Sequence, residues 1–266
     1  MTRNPQWWES EGGFYGKLYI AGDDSQALDG SARPSLAERT AREAQGLLTL
    51  TQAAAGAHIL DLPCGYGRHA LALAKQGYTV VGIDLNVDHI EKARQMAKEQ
   101  GIAAEFAVGD MRDVGAQYHG VFDLVINMFY SFGYFDQQEE NQRAMQEFFN
   151  ALKAGGSLLL HSSVSPEVFE SHQKVFEDER LLKDGGRLLV RRSFDAERKR
   201  IIGEWMVIAQ DGTQQQLAPY SVQSYSKEDF ESMARLAGFK DITFFGSFEG
   251  EEFVPDAREL IMVAQK

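Results

Sequence analysis

Between His58 and His161 short apolar runs alternate with amphipathic stretches, and this alternation narrows the possible architectures more than any other feature of the chain. His58–Leu62 reads as a short apolar strand and Arg68–Gln76 as a helix stopped by Gly77. Thr79–Ile83 is β-branched and apolar, the composition of a strand buried on both faces. Val87–Gln100 sets Ile90, Ala93 and Met96 or Ala97 on one helical face, with Glu91, Lys92, Arg94 and Lys98 around the other, and Gly101 ends it. Ala104–Val108 and Phe122–Ile126 follow as the third and fourth strands. Asp136 and Glu139 read as caps of a helix running to about Lys153, after which Gly155-Gly156 turns into a fifth strand, Ser157–His161. Such an alternation closes through right-handed crossovers into a parallel sheet with helices on both faces. Sheets of that kind bind ligands at the carboxyl ends of their strands.

The flanks follow other patterns. Residues 1–34 carry Trp7, Trp8, Phe14, Tyr15 and Tyr19, too many large rings for a free tail, and read as an arm or lid. A purely structural N-terminal cap explains them as well. Ser35 with Glu38 forms a capping box that starts a helix. From Ser162 to Tyr225 the alternation breaks. Arg187–Phe194 and Arg200–Ile208 predict a hairpin, Gln215–Tyr225 a further strand, and together a small antiparallel lobe inserted after the fifth strand. Helical periodicity returns at Ser226, capped by Asp229 and stopped by Gly238. Strands Asp241–Phe245 and Glu259–Ala264 then complete a seven-stranded, mostly parallel, doubly wound α/β sheet of Rossmann-like type. The expected divisions are therefore an arm (1–34), the main domain (35–161 and 226–266) and the lobe (162–225).

Composition excludes more than it selects. With 27 Lys plus Arg against 39 Asp plus Glu, the net charge is -12. A surface of that sign repels phosphate backbones and anionic membranes, so neither nucleic acid nor membrane is an expected partner. The single cysteine, Cys64, has no internal disulfide partner, which suits a reducing compartment. No apolar run approaches a membrane span and the N-terminus lacks a signal-peptide core, so a cytoplasmic location is expected.

The chemistry concentrates at the strand ends. The first strand runs into Asp61-Leu62-Pro63-Cys64-Gly65-Tyr66-Gly67-Arg68. Glycines at 65 and 67 let the backbone approach a ligand closely, and the next helix aims its free N–H groups at it. Asp61, before the glycines, suits a cationic ligand or an amine donor. Asp84 ends the second strand, where a carboxylate accepts from both hydroxyls of a ribose. Asp110 in Gly109-Asp110-Met111 can accept from an exocyclic adenine amine while Met111 covers the ring. With Asn127 after the fourth strand, four strand ends surround one elongated adenosyl ligand. Each residue also has a plainer reading. Asp84 or Asp110 alone is equally a solvated turn residue, Asp123 a loop holder and Cys64 a small buried filler.

Assembled, these motifs resemble the class I S-adenosylmethionine methyltransferases. The resemblance rests on Leu60–His69, Gly82-Ile83-Asp84-Leu85, Gly109-Asp110-Met111-Arg112, the stretch from Phe122-Asp123 through Asn127 to Phe135, and the Lys153–Gly156 turn. It spans about residues 55–161 and resumes around Ser226–Phe239. The Phe129–Phe135 stretch and the lobe look most like the small-molecule branch that includes glycine and sugar-amine N-methyltransferases. In that branch the lobe helps cover the acceptor site and aids oligomerisation, which leaves room for a homodimer.

By that resemblance the cofactor is S-adenosylmethionine. Asp61, Gly65 and Gly67 hold its methionine end, Asp84 with Leu85 the ribose, and Asp110 with Met111 the adenine. Asn127 lies near the methionine moiety. No metal is implied. Methyl transfer needs little from side chains beyond holding the two reactants in line, and a base only where the acceptor arrives protonated. The candidates are His161 at the end of the fifth strand, Tyr19 on the arm and Tyr130 after the fourth strand. Many relatives have an acidic residue where His161 stands. Tyr15, Tyr134 and Tyr225 are candidates for lining the acceptor site, and His161 and Tyr225 serve equally well as packing residues.

Three rivals remain. A nicotinamide-dependent oxidoreductase shares the glycine loop but leaves Asp61 and Gly109-Asp110-Met111 unexplained. A non-catalytic adenosyl-binding module is allowed by the lack of an obvious base. A nucleic-acid methyltransferase would usually carry a base-gripping Asn-Pro-Pro-Tyr motif where this chain has Asn127-Met128-Phe129-Tyr130.

Overall fold

The computed structural model describes residues 8, 22, 25–27, 34–162, 175–255, 257 and 259–266. Phe14, Tyr15 and Tyr19 lie outside the described residues. The chain divides into two units: residues 1–39 with 172–223, and residues 40–171 with 224–266.

In chain order the elements begin with β1 (Gln26–Ala27), α1 (Leu36–Thr51), β2 (His58–Asp61), α2 (Arg68–Lys75), β3 (Thr79–Asp84), α3 (Val87–Gln100) and β4 (Glu105–Val108). They continue with β5 (Phe122–Asn127), α4 (Gln138–Ala151), β6 (Leu152–Ser162), β7 (Val175–Leu181), β8 (Arg187–Asp195) and β9 (Arg200–Ile208). Two short strands, β10 (Gln214–Gln216) and β11 (Tyr220–Gln223), precede α5 (Lys227–Ala237), β12 (Lys240–Phe245) and β13 (Leu260–Gln265).

The larger unit is built on a seven-stranded sheet of order β12-β13-β6-β5-β2-β3-β4. Strands β2 to β6 run parallel, and β13 enters antiparallel between β6 and β12. From β2 the chain winds outward to β3 and β4, then crosses back to β5 on the other side of β2. The sheet therefore changes direction between β2 and β5, the crevice in which doubly wound sheets take ligands. Ile59, Leu124 and Leu159 on the central strands are fully buried with Leu47, Leu73 and Ile90 of the covering helices.

Local signals explain most helix ends. Asn86 caps α3 by accepting from the His89 N–H at 3.2 Å. Gly101 and Gly238 adopt left-handed φ of 63° and 110° at the ends of α3 and α5, where a side chain would be strained. Ser226 and Asp229 form a reciprocal capping box on α5, with bonds of 3.1 and 3.0 Å. Ser226→Ala is expected to cost about 1 kcal/mol and to lower the melting temperature by about 2–4 °C. A thermal melt followed by circular dichroism checks this, and an unchanged midpoint removes the cap from the account.

The start of α4 differs from expectation. Its N-cap is Gln137, which makes no side-chain cap bond, and the helix ends at Ala151 rather than near Lys153. Asn141, in the fourth helical position, instead ties the helix to the loop before it. Its Nδ2 donates to the Phe135 and Gln137 carbonyls at 3.0 and 3.3 Å, and its Oδ1 accepts from the Phe135 N–H at 3.4 Å. A buried amide that both donates and accepts satisfies more backbone than a carboxylate can.

The smaller unit is antiparallel, with order β1-β7-β8-β9-β10 and β11 also on β9. The hairpin β8–β9 pairs from Arg187↔Ile208 to Asp195↔Arg200. Leu188, Val190 and Trp205 are buried, Leu188 and Val190 by the period-two alternation of β8. The single strand expected over Gln215–Tyr225 is two, pairing with separate stretches of β9. Pro219 lies between them and has no N–H to offer the ladder.

Candidate active site

The glycine loop is shaped by what lies beneath it. Gly65 and Gly67 have φ of 55° and 80°. A Cβ on Gly67 would sit 2.8 Å from the Phe106 ring and 3.1 Å from Ala93, so the loop presses onto β4 and α3 with no room for a side chain. Helix α2 starts directly after it with no side-chain cap, leaving its first N–H groups directed at the switch point. One of them is already used: Ala70 donates to Asp61 Oδ2 at 3.2 Å.

Asp61 and Asn127 face each other across the sheet's change of direction, at the ends of β2 and β5. Both are buried. The Asn127 amide donates to the Leu62 carbonyl at 2.9 Å and the Ser131 carbonyl at 3.3 Å, which fixes its orientation. Asp61 Oδ1 and Asn127 Oδ1 are buried acceptors without a protein donor. Burial pushes the Asp61 carboxyl up to about 8, aided by the charge of Asp84 and opposed by the Ala70 N–H and the charge of Arg68. Two buried acceptors of this kind call for a donor, and a cationic one best of all.

The second and third strand ends are held by their own loops. Asp84 Oδ2 accepts from the Gly65 N–H and Oδ1 from the Asn86 N–H, both at 2.8 Å, so this carboxylate pins the glycine loop to α3. One lone pair per oxygen remains, enough for two hydroxyls. Leu85 is exposed beside it and Met111 is buried. Asp110 grips Arg112: the Arg112 backbone N–H and Nε reach Oδ1 at 2.9 and 3.0 Å, and Nη2 reaches Oδ2 at 2.5 Å. Burial pushes Asp110 up, but the bonds and charge of Arg112, with the charge of Arg143, hold it below the usual carboxylate range.

After β5 the backbone does something unusual. Phe129 and Tyr130 both take left-handed conformations, φ 56° and 63°, in consecutive non-glycine residues. Strain of this kind costs on the order of 1–3 kcal/mol per residue and persists only where surroundings enforce it. Here His161 does so. Its Nδ1 accepts from the Phe129 N–H at 3.4 Å and its carbonyl from the Tyr130 N–H at 3.2 Å. The imidazole lies against Phe248 and Tyr130, with ring centroids 4.9 and 5.4 Å away. Burial drives its pKa down to about 3, opposed by the charge of Glu43, so the ring is neutral at physiological pH.

The aromatic stretch divides. Phe129 and Tyr130 are half-buried, whereas Phe132, Tyr134 and Phe135 belong to the core. Tyr225 is buried against Phe132 and Phe230, and its hydroxyl donates to Gln138 Oε1 at 2.7 Å. This geometry favours packing for Tyr134 and Tyr225 over lining an acceptor site.

A buried charge cluster supports the loops from below, and sequence reasoning missed it. Glu43 of α1 accepts from Arg68 Nη1 at 2.5 Å and lies 2.8 Å from His69 Nε2, all three side chains being almost fully buried. Arg68 also donates to Thr40 at 3.1 Å and stacks over the Phe129 ring at 5.1 Å. Burial alone pushes Glu43 up, yet the hydrogen bonds and charges of His69 and Arg68 outweigh it and hold the carboxyl well below its ordinary range. Nothing in sequence spacing links residue 43 to residues 68 and 69. Arg112, by contrast, was in view, two residues after Asp110.

The residues present fit an adenosyl ligand carrying an amino-acid tail. Orphan acceptors on Asp61 and Asn127, free lone pairs on Asp84 and the carboxylate of Asp110 suit the amine and hydroxyl donors of such a ligand. The comparisons agree. Residues 59–156 match the family model described as "Methyltransferase domain". A glycine/sarcosine N-methyltransferase of Parasynechococcus marenigrum (strain WH8102) is 28% identical over 102 residues, 38% of this chain but only 36% of that protein. Among solved structures, the CcbJ methyltransferase from Streptomyces caelestis superposes with a TM-score of 0.73 at 20% identity, covering 92% of this chain and 97% of that one. S-adenosylmethionine-bound CalS10, an amino pentose methyltransferase from Micromonospora echinaspora, gives 0.69 at 20% identity, covering 94% and 97%. At these identities the structures speak to the fold, which they share over nearly their whole length. Residues 59–156 thus form a methyltransferase domain, in a chain whose fold is that of solved methyltransferases and which spans half or less of the length of the first curated relatives that it matches.

Proposed function

We propose that the chain methylates the nitrogen of a small amine, working in the cytoplasm without nucleic acid or membrane as partner. The observation that carries the reading is the strained Phe129–Tyr130 pair at the end of β5, two residues after Asn127. Two half-buried rings are held there at a cost in backbone energy. Aromatic faces stabilise a nitrogen that gains positive charge as it accepts a methyl group. A glycine/sarcosine N-methyltransferase and an amino pentose methyltransferase among the similar proteins support the same acceptor class.

In this reading the cofactor, when bound, supplies an electrophilic methyl on a sulfonium. Asp61, Asn127 and the glycine loop hold its amino-acid end, Asp84 its ribose and Asp110 its base. Phe129 and Tyr130 shape the face from which the amine approaches and exclude water from it. His161 is a positioning residue rather than a base: with a pKa near 3 and its Nδ1 occupied by the Phe129 N–H, it has no affinity for an ammonium proton at neutral pH. The amine must then arrive deprotonated.

Transfer from radiolabelled S-adenosylmethionine to a panel of small amino acids, amino sugars and phenols tests this. Label is expected in at least one amine, with kcat/KM rising with pH along that amine's own titration. Tyr130→Ala is expected to lower turnover about tenfold while leaving S-adenosylhomocysteine affinity within about threefold. Label found only on hydroxyl or carboxylate acceptors would overturn the amine reading and leave the methyltransferase assignment standing.

A further inference from the structure

We propose that Arg112 is a positioning residue that sets base selectivity, by leaving the Asp110 carboxylate one free acceptor direction. The inference rests on the reading in which Asp110 meets the exocyclic adenine amine. An ionised carboxylate has roughly four acceptor sites. Three distinct N–H groups of Arg112, its backbone N, Nε and Nη2, already approach Asp110 within 2.5–3.1 Å. Nε reaches both oxygens, at 3.0 and 3.1 Å, with a single proton, so three protons occupy the carboxylate and room for one further N–H donor is left.

The guanidinium is fixed in turn. Nη1 donates to Glu140 in the first turn of α4, and Cζ stacks 4.2 Å from the centre of the buried Phe135 ring. Phe135 is itself bonded in both directions by Asn141. Arg112 is thus held at its tip, its plane and its base, so the carboxylate it grips has little freedom to turn. Asp110 and Arg112 are both only half-buried, and a pair so exposed to water adds little to stability by charge alone. The gain from holding it so rigidly lies in direction. A fixed, ionised acceptor rejects the carbonyl that replaces the amine in hypoxanthine, because two acceptors then face each other. A carboxylate free to swing would tolerate it.

Calorimetry with S-adenosylhomocysteine and its inosine analogue, on wild type, Asp110→Asn, Arg112→Gln and Arg112→Lys, tests the proposal. Wild type is expected to prefer the adenine ligand at least about tenfold. Arg112→Gln is expected to bring that ratio below about threefold, weakening the adenine ligand and strengthening the inosine one, and Asp110→Asn to abolish it. A purely structural role for Arg112 would weaken both ligands alike and leave the ratio unchanged. If Asp110→Asn loses discrimination while Arg112→Gln keeps it, the positioning role is wrong and the Asp110 reading stands. If Asp110→Asn keeps the wild-type ratio, both fall. Should Arg112→Gln not fold, Arg112→Lys decides, because it keeps the charge and loses the fork: a ratio reduced at least about threefold supports the proposal, and an unchanged one overturns it.

Discussion

Arg68→Met is expected to destabilise the protein by about 3–5 kcal/mol, the usual result of removing one partner of a buried ion pair. The change removes the guanidinium that Glu43 holds at 2.5 Å and leaves a carboxylate that water barely reaches. Its side chain is 6% exposed and that of Arg68 8%, so the loss is little screened. His69, 2.8 Å away, can recover part of it by taking a proton. The double variant Arg68→Met/Glu43→Gln is expected to recover most of the loss, because the expensive species is the unpaired charge rather than the missing contact. Denaturant unfolding of the two single variants and the double variant measures this coupling, and strictly additive losses would refute it.

The same cluster sets a direction with pH. Glu43 titrates lower in the fold than its ordinary value of 4.5, so its contribution is present above that value and fades as pH falls below it. His161 is lowered from 6.5 to about 3, so its preference for the neutral, folded state is likewise full above 6.5 and is lost progressively toward 3. Both groups therefore make the fold acid-sensitive, and neither changes its stability further on the alkaline side.

The second large effect is expected in cofactor affinity. Asp61 titrates near 8 in the free protein and must ionise to hold an ammonium. Below pH 8 binding then costs the removal of a proton, and affinity for S-adenosylhomocysteine is expected to fall by about tenfold per pH unit. Above about pH 8 the ligand's own amino group begins to lose its proton, so affinity peaks near that pH. Asp84 is also pushed up by burial and would add to the slope. Asp61→Asn separates the two, since it removes only its own part of the pH dependence. The variant is expected to lose about 2–5 kcal/mol of binding at pH 8. Calorimetry in buffers of different ionisation enthalpy counts the released proton directly. Uptake of no proton and release of none at pH 6.5, with affinity flat to pH 8, would remove Asp61 from the ammonium site.

Much of this architecture was legible in the residue order alone. Alternating apolar runs and glycine stops marked five parallel strands and their helices to within a few residues, because burial of a strand or helix face writes its period directly into the chain. That Asp61, Asp84, Asp110 and Asn127 stand at or just after strand ends was legible too, because a doubly wound sheet brings those ends to one edge. The capping boxes at Ser35 and Ser226 were equally local.

What tertiary structure alone decided is what those residues touch. Glu43 meets Arg68 and His69 from a helix more than twenty positions earlier. His161 reads in sequence equally as a base or a packing residue at a strand end, and Phe248 from near the chain's end packs on it beside a strained loop. Tyr225, which the sequence left between lining an acceptor site and packing, lies against Phe132 and Phe230. Two short strands replaced one on β9, and α4 has Gln137 as its N-cap, with Asn141 bonded to the loop before it. Periodicity records which face of an element is buried. It carries no record of which distant side chain arrives to bury it, and for charged and aromatic residues that neighbour decides whether they react, bind or pack.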